Sequence, residues 1–469
     1  MTMLKHNLVY YHDSAKLFSR IAQQPWAMLL DSGQMLNAAT RQPGSQYGRF
    51  DIMVAEPIIT LITQGEQTTI AQNGLVERST EDPFSLLKKL LAQYKAPKTT
   101  MPFAGGALGY FAYDLGRRLE QFDDEKPPEN TPEMMIGIYD WAIVVDHREE
   151  TSILVSHGFS PSTKQHWQAL CARFDAPYIE AEQQFSVVSD VVSNMSREAY
   201  SHAFAKVKTY IGAGDCYQVN LAQRFCAKVE GDSWVAYKKL REISPAPFMA
   251  YMQLPLNNDD CFQVLCNSPE RFIQTDGKHV ETRPIKGTRP RSHDANKDKA
   301  YSNELLTSAK DKAENIMIVD LLRNDISKNC EVGSVKADKL FLLQSFANVH
   351  HLVSVITGKL KQGTTAIDLL KGCFPGGSIT GAPKVRAMQI IDELEPNRRG
   401  IYCGAIGYIG FDGNMDTNIT IRTAITAKNE FNFYVGGGIV FDSNEEGEYN
   451  ETLDKAANML TILKKFMRL

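Results

Sequence analysis

Phe431-Asn432-Phe433-Tyr434-Val435 reads as a strand, followed by Gly436-Gly437-Gly438-Ile439 and then, after three further residues, by Ser443-Asn444-Glu445-Glu446-Gly447-Glu448-Tyr449-Asn450-Glu451-Thr452-Leu453-Asp454-Lys455, which opens a long helix. Ser443 to Glu446 has the S-x-x-E form of a capping box. Glu448, Glu451 and Lys455 then fall on one helix face, and Tyr449, Leu453, Ala456 and Leu460 on the other. The helix is therefore predicted to bury the apolar face and turn its carboxylates to a cleft or to water. On an isolated helix such a charged face is ordinarily solvated.

Outward from this stretch, a second strand is predicted over 419–425 and further helices around 310–324 and 383–394. Ser196 can cap another helix, whose apolar residues Tyr200, Phe204, Val207 and Ile211 keep helical spacing until Gly212 and Gly214 stop it. A soft boundary near 183–195 separates an N-terminal region, 1–185, from a C-terminal region, 196–469. The N-terminal region mixes β-rich runs such as Trp141-Ala142-Ile143-Val144-Val145 with helical patterns such as 84–91, and it holds few chemical groups of interest. Strands and helices without regular β-α-β winding predict an α+β fold.

The chain has 469 residues, 43% hydrophobic and 23% charged, with a formal net charge of −4 and no long single-sign run. That composition is globular and carries no electrostatic footprint for nucleic acid. Neither a signal peptide nor an apolar run of spanning length is visible, so the expectation is a cytoplasmic protein without a membrane segment. Eight scattered cysteines with no C-x-x-C pair are expected to be reduced thiols.

Three further stretches carry chemistry. Asp311 and Glu314 share a helix face just ahead of Ile316-Met317-Ile318-Val319, and hard cations such as Mg2+ take oxygen ligands from a few carboxylates, water and substrate anions. Phe374 to Lys384 places Gly376 and Gly381 at phosphate-loop spacing, but Ala382-Pro383 stands where Lys and Ser/Thr are required; Gly436 to Gly438 suits close backbone approach to a small anion. Lys286, in Pro284-Ile285-Lys286-Gly287-Thr288, is ordinarily a surface charge; as a nucleophile it must lose its proton, which burial or a cation such as Arg283 promotes. Glu270, in Ser268-Pro269-Glu270-Arg271-Phe272, is either an ion-pair partner or a general acid with a raised pKa.

Taken in order, these motifs resemble the chorismate-utilising family that includes anthranilate, isochorismate, salicylate and aminodeoxychorismate synthases. The resemblance also runs through Gly214 to Asn220, His351-Leu352-Val353-Ser354 and Ile421-Arg422-Thr423, and so covers nearly all of 196–469. It implies a four-layer α/β/β/α sandwich with chorismate in a cleft between its halves. It implies Glu314 and Glu451 as Mg2+ ligands supported by Asp311 and Glu448, Glu270 as the acid that protonates the departing 4-hydroxyl, and His351 beside the substrate. Arg422, Gly436, Gly437, Gly438 and Lys455 match positions that bind the substrate's carboxylates.

Within the family two positions separate the reactions. Isochorismate and salicylate synthases carry a water-activating lysine where this chain has Gln218, whose amide cannot take a proton at neutral pH. Lys286 stands where anthranilate synthases usually carry alanine, which implies a lysine nucleophile at C2 and nitrogen delivered to C4, toward 4-aminobenzoate and folate. No glutaminase nucleophile elbow is found, so ammonia is expected from a separate glutamine amidotransferase subunit. Competing readings are an anthranilate synthase component I, disfavoured by Lys286, and a non-catalytic regulatory subunit, which would typically have lost one of Glu270, Lys286, Glu314 or Glu451.

In the N-terminal region, Leu29-Leu30-Asp31-Ser32-Gly33 is similar to the L-L-E-S segment of the tryptophan site of anthranilate synthases. Ser32, Tyr47, Gly48, Arg49, Phe50, Pro247, Phe248 and Met249 match positions lining that pocket. Asp31, where the feedback-inhibited relatives carry Glu, predicts tryptophan as a structural filler that hardly inhibits.

Overall fold

The computed structural model describes residues 3–33, 48–120, 126–256, 260–292, 294–345 and 349–468. Two antiparallel sheets, of 13 and 12 strands, lie face to face. In the larger, the path Ala27–Asp31, Phe248–Pro255, Cys261–Ser268, Thr423–Ala427, Glu430–Ile439, Gln218–Gly231 runs through the middle and one end. In the smaller, Ile285–Pro290, Val349–Lys359, His279–Thr282, Arg271–Thr275, Met415–Ile419, Ala405–Gly410 and Gly106–Phe111 are neighbours in that order.

Period-two alternation sorts the strands' side chains between layers. Met28, Ala250, Met252 and Val264 of the larger sheet meet Leu108, Tyr110, Met135 and Ile406 of the smaller in a core between the sheets. Their neighbours Ala27, Leu29, Met249 and Tyr251 point outward, under helices that contribute Phe18, Trp167, Trp234, Tyr237 and Met459. On the other outer face Ala107 and Phe111 pack with Phe84, Leu87, Ile318, Leu322, Leu369 and Met388 of further helices. This is the four-layer α/β/β/α arrangement. Regions 1–185 and 196–469 share both sheets: Ala27–Asp31 pairs with Phe248–Pro255, and Gly106–Phe111 with Ala405–Gly410.

Helix Arg197–Gly212 follows its predicted course, with the Ser196 side chain accepting from Ala199 N and Tyr200, Phe204, Val207 and Ile211 buried. Two expectations are corrected. The helix Glu445–Lys465 is capped by Asn444, which accepts from Gly447 N, because Ser443 Oγ donates instead to Glu448 Oε1 (2.6 Å). It buries Glu448, Thr452, Ala456 and Met459, leaving Tyr449, Leu453 and Leu460 only partly covered, since the glycine strand beside it makes room for the carboxylate. The stretch 419–425 is not one strand: Met415–Ile419 belongs to the smaller sheet and Thr423–Ala427 to the larger, with Arg422 at φ +51° where the chain crosses between them. All eight cysteines are free. Among the described residues no helix is long and apolar enough to cross a membrane.

Candidate active site

The chain crosses in the opposite direction, from the larger sheet to the smaller, between Cys261–Ser268 and Arg271–Thr275, and Glu270 sits on that crossing. The two crossings are stitched together. Asn267 N donates to Arg422 O (3.0 Å), Ile419 N to Glu270 O (3.0 Å) and Ser268 Oγ to Ile419 O (2.6 Å). Glu270 and Arg422, far apart in sequence, thus meet because neighbouring strands of each sheet end there.

Burial raises the Glu270 carboxyl to about 7, against the opposing pull of Lys286, a hydrogen bond donated by Ser378 Oγ to Oε1 (3.0 Å), Lys455 and Arg422. A carboxyl poised near neutrality can hold a proton and give it up. Arg422 is lowered by its own burial, with Glu270 acting the other way.

Lys286 lies on Ile285–Pro290, whose pairing with Val349–Lys359 is interrupted by a bulge between Lys286 and Thr288. Gly287 forms the bulge at φ +78°, and a Cβ there would meet Leu305 Cδ1 at 2.7 Å and Asp311 Cγ at 3.0 Å, so only glycine fits. A bulge re-aims the neighbouring side chain, and Lys286 acts electrostatically on Glu270, Glu314 and Glu451 together. On the far side of the bulge Thr288 Oγ1 shares a hydrogen bond with His351 Nδ1 (2.9 Å). His351 is lowered to about 4 by burial and by Arg422, despite a hydrogen bond with the Gly287 backbone. It is neutral at neutral pH.

The carboxylates come from two helices, Ala309–Ser327 and Glu445–Lys465. Glu314 is raised, first by burial and then by repulsion from Asp311 and Glu451, with Lys286 and Lys310 opposing. Glu448 is likewise raised by burial and by Glu451. Burial also works to raise Glu451, but its ion pair with Lys455 (2.7 Å) prevails and lowers it. Asp311 pairs with Arg289 (3.2 Å).

Gly437 lies against these groups: a Cβ there would be 2.9 Å from Glu448 Oε2 and 3.9 Å from Glu451 Oε1. Among the described residues no three His, Cys, Asp or Glu groups form a finished metal cage. The repulsion that Glu451 exerts on both Glu314 and Glu448 nevertheless suits a hard cation that completes its shell with water and substrate oxygens.

Gly436 to Gly438 pair on one edge with Ala222, Leu221 and Asn220, and Thr423–Ala427 covers the other edge only as far as Phe433. Among the described residues no strand covers that edge at the glycines, which leaves backbone N–H groups available to an anion. Lys455 Nζ donates to Gly436 O (2.9 Å). Gln218 is fully buried beside Gly438, with neither amide atom hydrogen-bonded. An unsatisfied buried amide is costly and marks a place where a polar ligand is expected.

The residues matched to a tryptophan site also assemble, around a cavity whose lining includes Arg271 and Asn418 beside the Glu270 crossing. Ser32, Arg49, Phe50, Pro247, Phe248 and Met249 line a cavity of about 440 Å³, with Leu30 and Asp31. Gly48 does not line it, and Tyr47 lies outside the described residues. Ser32 Oγ donates to Asp51 (2.7 Å), and Asp31 is already engaged by Arg241 Nε (2.7 Å) and Tyr237 OH (3.0 Å). Sequence reasoning missed the contacts of Ser378, Thr288 and Ser443, which hydrogen-bond Glu270, His351 and Glu448. Short polar side chains in loops and strand ends carry no periodic signal.

The chain is 46% identical over 463 residues to aminodeoxychorismate synthase component 1 of Escherichia coli (strain K12), covering 98% of each. It is 33% identical to anthranilate synthase component 1 of Aquifex aeolicus (strain VF5), over 90% of this chain and 87% of that one. The crystal structure of anthranilate synthase component I from Streptococcus pneumoniae TIGR4 superposes with a TM-score of 0.77 at 32% identity, covering 88% of this chain and 92% of that one. The family described as chorismate binding enzyme matches residues 38–461, and the chain belongs to that family.

Proposed function

We propose that this chain is the aminating component of an aminodeoxychorismate synthase, a cytoplasmic enzyme that makes 4-amino-4-deoxychorismate, the precursor of 4-aminobenzoate and folate, from chorismate and ammonia. The observation that carries the reading is Lys286, aimed by the Gly287 bulge into the field of Glu270, Glu314 and Glu451. An anthranilate-forming site needs no amine there. The higher identity to aminodeoxychorismate synthase than to anthranilate synthase components supports it. The relative's name, component 1, supports a partner, and a separate glutamine amidotransferase is the chemical class that supplies ammonia.

In this reading Arg422, Lys455 and the Gly436 to Gly438 amides hold the substrate's carboxylates, and the Gln218 amide meets a polar group of the ring. Glu270 gives its proton to the 4-hydroxyl, which departs as water as the Lys286 amine bonds to C2. Ammonia then bonds to C4 and the Lys286 amine leaves C2. Neutral His351 sits beside the ring without adding charge. Glu314 and Glu451, with Asp311 and Glu448 behind them, would hold Mg2+, which when bound neutralises the ring carboxylate among these acids.

Chorismate, ammonium and Mg2+ incubated with the purified chain are expected to give 4-amino-4-deoxychorismate by mass spectrometry, with no pyruvate. Anthranilate and stoichiometric pyruvate would instead assign the anthranilate reaction.

The inter-sheet cavity is assigned in the same reading to tryptophan as a structural filler. An indole buries a large apolar area against Phe50, Phe248 and Met249. Because Asp31 is held by Arg241 and Tyr237, it is a poor hook for coupling the ligand's amine to activity. Purified protein is expected to release tryptophan on denaturation, while added tryptophan leaves the initial rate nearly unchanged. Absence of both released ligand and calorimetric binding refutes the assignment, and strong inhibition refutes the filler role.

A further inference from the structure

Behind the site, outside the cleft, lies an ion pair that the reaction does not use. Glu395 and Arg399 have side chains only 3% and 1% exposed. Arg399 Nε and Nη2 donate to the two Glu395 oxygens at 3.0 and 2.7 Å. Its remaining donors reach two separate pieces of backbone: Nη1 donates to Ile379 O (3.0 Å) and Nη2 to Asn220 O (2.7 Å). Glu395 Oε1 in turn accepts from Ala222 N (2.9 Å). The guanidinium plane lies over the Tyr113 ring, 4.9 Å from its centre.

The two pieces joined in this way both reach the chemistry. Ile379 follows Ser378, whose hydroxyl holds Glu270, in the short turn Gly377–Ile379. Asn220 and Ala222 belong to the strand Gln218–Gly231, which carries the unpartnered Gln218 amide. We propose that Arg399, locked by Glu395, is a positioning residue that sets the Ser378 turn against the Gln218 strand and so fixes the direction in which Glu270 offers its proton. This rests on the reading of Glu270 as the acid.

Energetics favour a geometric role. Desolvating two charges costs about what their attraction returns, so a buried pair is a weak stabiliser compared with apolar residues of the same volume. What the pair supplies is direction: a planar fork can hold a carboxylate and two carbonyls at once, which an ammonium on a flexible stem cannot. The alternative is that Arg399 merely satisfies buried carbonyls. That role would affect stability and leave the chemistry of the folded enzyme unchanged.

Arg399→Lys separates the two roles. It is expected to lower kcat about 10- to 100-fold per folded molecule with KM for chorismate changed less than about threefold, the pattern for a misaimed group in the reacting complex. The groups facing Glu270 are Lys286, Lys455 and Arg422, with Ser378 donating to it and the Cys403 thiol nearby. None of these is altered, so the alkaline limb of the kcat profile should move to higher pH, as expected when the Ser378 hydroxyl no longer favours the ionised carboxylate. Ser378→Ala should move that limb in the same direction, and Arg399→Lys should add little in its background.

A wild-type kcat and pH profile in Arg399→Lys, with only a lowered melting temperature, overturns the proposal. If that variant does not fold, Glu395→Gln decides in the same way. Glu270→Gln is measured in parallel: full activity there overturns the acid assignment and this inference with it, whereas loss there beside a normal Arg399→Lys overturns the inference alone.

Discussion

Lys286→Ala is expected to lower aminodeoxychorismate formation by more than about 100-fold, the largest effect of any single substitution on the chemistry. Lys286 makes no hydrogen bond to another described side chain; its role is electrostatic, facing Glu270, Glu314 and Glu451. Truncation therefore removes a reacting group without opening a core cavity, and the variant should keep its fold. Some direct attack by ammonia at high concentration is compatible with the site, because Glu270 and the carboxylate-holding groups remain. Wild-type enzyme incubated with chorismate and no ammonia should show, by mass spectrometry, a peptide containing Lys286 heavier by chorismate less one water. An adduct on another residue, or full glutamine-dependent activity in the alanine variant, would refute the covalent route.

Loss of Glu314 or Glu451 is expected to be nearly as severe. Chorismate brings carboxylate charge to a place where Glu314 and Glu448 are already raised, first by burial and further by repulsion from Glu451. Without a cation that approach is opposed by like charges, so activity should require Mg2+ and disappear on treatment with EDTA. Glu314→Ala and Glu451→Ala should each reduce activity at least 100-fold at any accessible Mg2+ concentration. Asp311→Ala and Glu448→Ala should weaken Mg2+ binding by about 10- to 100-fold, since these groups are committed to Arg289 and Ser443 and act from behind. Undiminished turnover after EDTA would remove the metal from the scheme.

Local physics made part of this architecture legible in the sequence. The helix beginning after Ser196 was readable because cap, period and terminating glycines all agree. Glu314 and Glu451 could each be placed on a helix face, yet nothing local says that those faces meet. The interruption at Arg422 was illegible because its β-branched surroundings suit a strand, and only the change of sheet forces the positive φ. Glu448 looked solvent-facing because a carboxylate on a charged helix usually is; its burial depends on Gly437 leaving space and on Ser443 donating a hydrogen bond. Arg399 sits in a loop with no period, and its partners come from three distant stretches. For Glu314 and Glu451 the resemblance supplied an expectation that local pattern could not, since it compares positions far apart in the chain.

The sharing of both sheets by the two ends of the chain bears on how the molecule is born. Strand Gly106–Phe111 pairs on one edge with the nearby 134–139, but its other edge stays open until 405–410 has been made; Ala27–Asp31, paired with 50–54, likewise waits for 248–255 on its second edge. A ribosome-bound chain therefore holds open, apolar strand edges through most of its synthesis, and neither half can close its layers alone. Long-range pairing of this kind is slow and exposed to aggregation. The same topology that brings Glu270 and Arg422 together at the sheet crossings leaves strand edges of the nascent polypeptide unpaired until 405–410 has emerged.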